Sequence, residues 1–286
     1  MIDVFEKSSF QKKMYFRPMF QKLSKLLFIL FTIFLASCSD YNKVLKSTDY
    51  DYKLKRANEY FERKSYVRAL PIYEELMTVF RGTVKAEDVS YKYAYCSYGL
   101  GDYIMAGYEF KNFAKSYPKS ILAEEAMYLN AQCYYLDSPR YSLDQENTVS
   151  ALTEMQLFVT MFPQSPKVQD CNDLIDKLRL KLQTKDYKNC VLYYDVSDYK
   201  ASIVAFKNLI KDYPESKYTE EAHFLILKSQ YLLAINSIDS KKKQRLQDTE
   251  KSYIKFIDQY AKSAYLKEAE AIYNSTLKEL NKWKNI

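Results

Sequence analysis

Hydrophobic side chains recur along this chain at a spacing that predicts α-helices. Counting backward from an aromatic residue, apolar or small side chains stand four, seven and eleven positions earlier, which is one face of a helix. The pattern occurs five times, anchored at Phe80, Tyr117, Phe162, Tyr213 and Tyr260. The side chain eleven positions back is small each time: Ala69, Ala106, Ala151, Ser202 and Thr249. Because small side chains let a second helix approach closely, we expect each face to pack against neighbouring helices.

A stop signal and a cap follow each aromatic anchor. The anchors begin the stretches FRGT, YPKS, FPQS, YPES and YAKS. Proline ends a helix because it lacks an N–H and disfavours helical geometry in the residue before it. The hydroxyl residue three positions after the anchor is suited to cap the next helix; these residues are Thr83, Ser120, Ser165, Ser216 and Ser263. Helix, stop, cap and helix are therefore predicted five times.

Repeated helix pairs of this kind predict an all-α solenoid similar to the tetratricopeptide repeat. The anchors are 37, 45, 51 and 47 residues apart, more than the roughly 34 residues of that repeat's consensus. The excess predicts longer connections at residues 137–145, 185–196 and 238–243. The amphipathic run from Ser263 to Trp283 has no partner copy, and we expect it to form a helix that caps the array.

The N-terminal segment has the order of a bacterial export signal. Basic residues precede an apolar run from Leu26 to Ala36, which is about half the length that a membrane-spanning helix requires. The run ends in Leu35-Ala36-Ser37-Cys38, which resembles a lipobox and implies cleavage before an acylated Cys38. Ser39 after the cysteine favours the outer membrane under the sorting rules of that class. An ordinary signal peptide with a chance cysteine is the alternative.

Composition argues against most other classes of function. The net charge of +7 belongs largely to the export signal, so the remainder is too mildly basic to predict nucleic-acid binding. His223 is the single histidine, the chain has four glycines, and no CxxC pair occurs. These features predict no phosphate loop, no metal site, no cofactor and no enzyme. Cys96 and Cys133 occupy equivalent places in adjacent repeats, and we expect both to be buried thiols because neighbouring helix axes lie too far apart for a disulfide.

A lipobox followed by five elongated repeats that end in YPxS, with EAxYxxAxCYY at Glu125 to Tyr135, resembles the BamD (ComL/YfiO) family. The resemblance implies a non-catalytic scaffold, lipid-anchored in the outer membrane and facing the periplasm. It implies three kinds of partner: the barrel subunit BamA, further lipoproteins of the BAM complex, and unfolded outer-membrane β-barrel proteins. The resemblance also implies four segments: a signal at residues 1–37, a lipid-anchored linker at 38–49, repeats one to three at 50–162, and repeats four and five with the C-terminal helix at 163–286. Repeats one to three would carry the client-binding groove, and residues 163–286 would dock BamA.

The repeat register also predicts which side chains line the groove. In superhelices of this kind the first helix of each pair faces the concave side, and tyrosine offers a broad surface with a polar tip. The predicted groove residues are Asn58, Phe61, Tyr91, Tyr95, Tyr98, Tyr128, Gln132 and Tyr135. The alternative is that several of these rings only pack between helices.

Two other classes of protein stay open. One is another tetratricopeptide lipoprotein of the cell envelope, an adaptor in wall or division coordination. The other is a SusD-like glycan-binding lipoprotein, although such proteins are longer and carry large irregular insertions.

Overall fold

The computed structural model describes residues 40–283. In this part of the chain no strand occurs, residues 40–46 are helical, and further helices follow to residue 281. Their bounds are α1 Tyr50–Glu62, α2 Tyr66–Val79, α3 Ala86–Gly99, α4 Tyr103–Ser116, α5 Ala123–Asp137, α6 Glu146–Met161, α7 Val168–Asp195, α8 Tyr199–Asp212, α9 Thr219–Ile235, α10 Asp239–Gln259 and α11 Leu266–Asn281. The predicted all-α, tetratricopeptide-like architecture is confirmed.

The chain divides into two compact units at Cys133 and Tyr134. In unit 1, residues 40–133, successive helices α1 to α4 pack on one another, and residues 40–46 pack on α1 and α2 through the buried Val44. In unit 2, residues 134–283, the same succession runs from α6 to α11. The last helix, α11, covers α9 and α10 with Ala269 and Ile272, as expected of a cap.

The predicted helical faces form the cores of both units. All five small residues eleven positions before the anchors are fully buried. The large side chains seven positions before the anchors are also fully buried, except Tyr253, which is 8% exposed. The helices end at the anchors, as predicted. Each anchor is the C-cap residue, and its N–H makes the last helical hydrogen bond, as in Tyr117 to the carbonyl of Phe113 at 2.8 Å. Burial of this face is what holds adjacent helices together.

The hydroxyl caps lie slightly outside the helices they serve. The side chain of Ser120 accepts a hydrogen bond from the N–H of Leu122 at 3.0 Å, while α5 begins at Ala123. The same bond to the residue two positions on recurs at Thr83, Ser165, Ser216 and Ser263. The hydroxyls therefore cap a tight turn closed by an i to i+3 bond, and the α-helix continues from that turn.

Two of the three predicted long connections are wrong. Residues 185–195 belong to α7, a single helix of 28 residues, because Tyr187 and Cys190 are buried there against α8 and α9. Residues 239–243 likewise belong to α10, which begins at Asp239. The connection at 138–145 is confirmed, and the Gln145 side chain holds it by donating to the carbonyls of Arg140 and Leu143, both at 2.9 Å.

The predicted burial of the cysteines is confirmed. Cys96 and Cys133 are buried free thiols, and burial raises the pKa of each to about 12. Cys171 and Cys190 are also buried, with pKa values raised to about 11 by burial. Cys38 and the export signal lie outside the described residues. Between residues 40 and 283, no helix has the length and apolar character needed to cross a membrane.

Candidate functional site

Most of the predicted groove residues come together in unit 1. The ring of Tyr95 in α3 lies 5.5 Å from Phe61 in α1, 6.1 Å from Tyr91 and 5.8 Å from Tyr98, measured between ring centroids. Tyr66 extends this row, 5.8 Å from Phe61. We call these rings, together with Tyr103 beside Tyr98, the aromatic strip: Phe61, Tyr66, Tyr91, Tyr95, Tyr98 and Tyr103.

Tyr66 and Tyr103 were missed by the sequence prediction. Each is the first residue of the second helix in its pair, directly after Ser65 or Asp102. A signal was present, because both rings stand three positions before the small residue of the repeat. The side chain at the first position of the second helix therefore lies in the strip, next to the turn that joins the two helices.

Polar groups border the strip at both ends. The Asn58 side-chain oxygen accepts hydrogen bonds from the Tyr73 hydroxyl at 2.7 Å and from the Lys92 ammonium at 2.9 Å. At the other end the Tyr98 hydroxyl donates to the Gln132 side-chain oxygen at 3.4 Å. Asn58 and Gln132 therefore lie next to the rings of the strip, and their role in binding stays a prediction.

An open hollow lies beside the strip on α1. Its volume is about 580 Å³, and Leu54 and Asn58 form part of its wall. Charges of both signs surround it, including Lys55, Glu59 and Lys85, and Lys85 pairs with Asp51 at 2.5 Å. The hollow can therefore accept either sign of charge close to an apolar wall.

The strip rests on two buried phenylalanine rings of α4. Tyr91 contacts Phe113 and Phe110 at centroid distances of 5.4 and 5.8 Å, and both phenylalanines are buried in α4. Burial raises the pKa of the Tyr91 and Tyr98 hydroxyls above the ordinary value of 10. These hydroxyls stay protonated at neutral pH and can donate or accept hydrogen bonds. The aromatic strip therefore offers half-buried rings, most of which end in a hydroxyl group, and none of these rings carries a charge.

The two other predicted tyrosines differ in position from this group. Tyr128 in α5 is 8% exposed and offers little surface. Tyr135 is half-buried and belongs to unit 2. The strip of unit 1 is therefore complete without them.

Unit 2 has an exposed apolar surface of its own. Leu192, Tyr193 and Val196 are exposed at the end of α7, and Val204 is exposed on α8. Tyr193 and Val204 line an open hollow of about 480 Å³. We call these four side chains the α7–α8 surface.

Side chains that could hold a metal ion do not cluster in the described part of the chain. Between residues 40 and 283, no three His, Cys, Asp or Glu side chains are placed to hold a metal ion. His223 is half-buried, and burial followed by the charge of Lys255 lowers its pKa. Its ring packs near Tyr260 at 5.6 Å, which fits a packing role.

Comparison with known proteins identifies relatives. A family model described as YfiO, outer membrane lipoprotein, matches residues 51–246. The curated protein "Outer membrane protein assembly factor BamD" of Caulobacter vibrioides is 26% identical over 142 residues, which is 50% of this chain and 47% of that protein. The match thus spans about half the length of the curated relative.

Proposed function

This chain belongs to the BamD-like YfiO family of outer membrane lipoproteins, and from that premise we propose that it is a scaffold of the outer-membrane β-barrel assembly machinery. In this role it is anchored through an acylated Cys38, faces the periplasm and performs no catalysis. The observation that carries the proposal is the aromatic strip, which lies within the region matched by the family model.

The proposed ligands of the strip are extended segments of unfolded β-barrel proteins. Such segments alternate apolar and polar side chains. Half-buried rings can receive the apolar side chains, and the tyrosine hydroxyls, Asn58 and Lys92 can bond the polar groups and the backbone. Neighbouring rings of the strip already pack on one another, with centroids 5.5 to 6.1 Å apart, so binding does not have to order them.

Peptide binding tests this assignment. Tyr98→Ala removes a ring and the hydroxyl that bonds Gln132, and we expect binding of an extended barrel-protein peptide to weaken by about 1–2 kcal/mol, or roughly 5- to 30-fold. Tyr108→Ala is the matched control, because this exposed tyrosine of α4 lies outside the strip. Equal binding by both variants, with helical content retained, contradicts the assignment.

The proposed docking region for BamA is residues 163–286. Within it the α7–α8 surface supports the proposal, because neighbouring exposed apolar side chains are typical of protein contacts. The test is recovery of BamA with the tagged, full-length lipoprotein from solubilised outer membranes. We expect near-equal amounts for the unaltered chain and a large loss for Leu192→Glu combined with Val204→Glu.

The control for BamA docking is Val149→Glu, the same replacement of an exposed valine at a position outside residues 163–286. Failure of the unaltered protein to recover BamA contradicts the proposed complex and favours a different envelope adaptor. Full recovery by the folded double variant contradicts only the α7–α8 surface as the docking site.

The proposed anchor is tested separately. Cys38→Ser is expected to leave the protein unprocessed or released from the outer membrane, because the acylated residue is lost. Unchanged fractionation and electrophoretic mobility of the Cys38→Ser protein contradict the anchor.

A further inference from the structure

Unit 1 carries exposed apolar side chains at the turns between paired helices. Val67 and Ile104 occupy the same repeat position and are 70% and 72% exposed. Leu100, Met105 and Tyr108 are also exposed nearby in sequence. We call these five side chains the turn edge.

The two turns lie side by side. Tyr66 at the start of α2 packs so closely on Gly99 at the end of α3 that a Cβ added to the glycine would lie 2.2 Å from the Tyr66 ring. The turn at residues 63–65 and the turn at residues 100–102 therefore form one edge of unit 1, and the turn edge is a single surface.

The described chain begins beside this surface. Asp40 forms an ion pair with Arg56 at 2.5 Å, and the Tyr41 hydroxyl donates to the Arg68 carbonyl at 3.3 Å. Arg68 directly follows Val67 of the turn edge. Val44 is fully buried in the core of unit 1, so the segment at residues 40–46 is held against α1 and α2.

Chain length limits how far an anchor at Cys38 can be from Asp40. Two residues span at most about 7 Å when fully extended. An acylated Cys38, which is part of the proposed function, would therefore lie no more than about 7 Å from Asp40, which is held by its ion pair with Arg56. The start of α2 would then lie close to the lipid as well.

We infer that the turn edge rests on the phospholipid surface of the membrane in which Cys38 is anchored. Val67, Leu100, Ile104 and Met105 enter the boundary between headgroups and acyl chains, where isolated apolar side chains are stabilised. Tyr108 has the amphipathic ring that suits the membrane interface. The exposed Arg63 and Lys64 in the first turn can contact lipid phosphates.

The opposite ends of the same helices supply a control. Val84 and Ile121 are 99% and 95% exposed, in the turns that precede α3 and α5. Val84 lies at the end of α3 opposite Gly99, and a helix of 14 residues is about 21 Å long. These two side chains are as apolar as Val67 and Ile104 but should stay in water.

The experiment uses the full-length, acylated lipoprotein in vesicles of phosphatidylethanolamine and phosphatidylglycerol. Val67→Cys, Ile104→Cys, Val84→Cys and Ile121→Cys each receive an environment-sensitive fluorophore, which the buried native thiols do not compete for. We expect blue-shifted emission and quenching by nitroxide-labelled lipid at positions 67 and 104. Positions 84 and 121 should show water-like emission and no quenching.

Failures of the two proposals can be distinguished. If the acylated protein does not bind vesicles, or if Cys38→Ser protein binds them equally, the proposed anchor is wrong. If the protein binds through Cys38 while probes at positions 67 and 104 behave like those at 84 and 121, the inferred orientation is wrong. Blue-shifted emission at positions 67 and 104 without lipid quenching would also overturn the inference, because another surface would then cover the turn edge.

Discussion

Removing the ring of Phe110 is expected to destabilise helices α3 and α4, which carry most of the aromatic strip. Phe110 is fully buried in α4. Its ring centroid lies 5.8 Å from Tyr91, 6.4 Å from Tyr98 and 6.5 Å from Tyr95. Truncating a buried phenylalanine to alanine costs about 3–5 kcal/mol through lost burial and the cavity left behind. The Phe110→Ala change also removes three ring contacts.

Phe206 is the matched position in unit 2. It is also fully buried seven positions before its anchor, and in the described part of the chain its ring pairs with Tyr187 at 6.2 Å. Phe110 thus has two more ring pairs, each contributing about 0.5–1.5 kcal/mol beyond burial. We expect Phe110→Ala to cost about 1–3 kcal/mol more than Phe206→Ala.

Native-state hydrogen exchange measures the two costs separately. The opening free energy of amides in α3 and α4 is compared between Phe110→Ala and the unaltered chain, and that of α8 and α9 between Phe206→Ala and the unaltered chain. Phe110→Leu and Phe206→Leu repeat the comparison with smaller cavities, in case an alanine variant does not fold. The contribution of the ring contacts would be refuted if the Phe110 and Phe206 variants lost equal opening free energy, both as the leucine pair and as any alanine pair that folds.

Three further predictions concern individual side chains. The raised pKa values of the buried Cys96 and Cys133 thiols predict slow alkylation by iodoacetamide at about pH 8 and rapid alkylation in denaturant, as followed by mass spectrometry. Burial and the charge of Lys255 lower the pKa of His223 below its ordinary value of 6.5, so the unfolded state binds the proton more readily than the folded state. The urea midpoint of unfolding should therefore fall as the pH drops through 6.5 and below. His223→Gln should make this fall smaller. Ser120→Ala removes the acceptor for Leu122 and the donor to Glu87, and thermal unfolding should show a loss of about 1 kcal/mol, with Ser120→Thr as the control.

The repeated packing could be predicted because it is local and periodic. The small residue, the two large residues and the anchor recur at fixed offsets, and each such face is buried as the helical period requires. The continuous α7 could not be predicted in the same way. Tyr187 is buried by stacking on Tyr218, with ring centroids 4.2 Å apart and planes at 8°. That contact joins two helices, and no spacing within residues 185–196 indicates it.

The strip was predictable to the extent that repeat position determines which way a side chain faces. Phe61 and Tyr95 come together on neighbouring first helices, as their register implies. Register does not determine depth, since Tyr128 is nearly buried although its predicted face is the same. Depth depends on the size of the side chains in the adjacent helix, which lie far away in sequence.

The same contacts that stabilise unit 1 also order the strip before the proposed peptide ligand binds. Tyr91 packs on Phe113 at 5.4 Å and on Tyr95 at 6.1 Å, so its ring is held before any peptide binds. An exposed and mobile tyrosine would have to lose rotamer freedom on binding, at a cost of about 0.5–1.5 kcal/mol. Half-buried rings have lost that freedom on folding. The proposed peptide binding would therefore gain affinity from the packing of the repeat, and we expect a substitution in the strip to change both stability and binding.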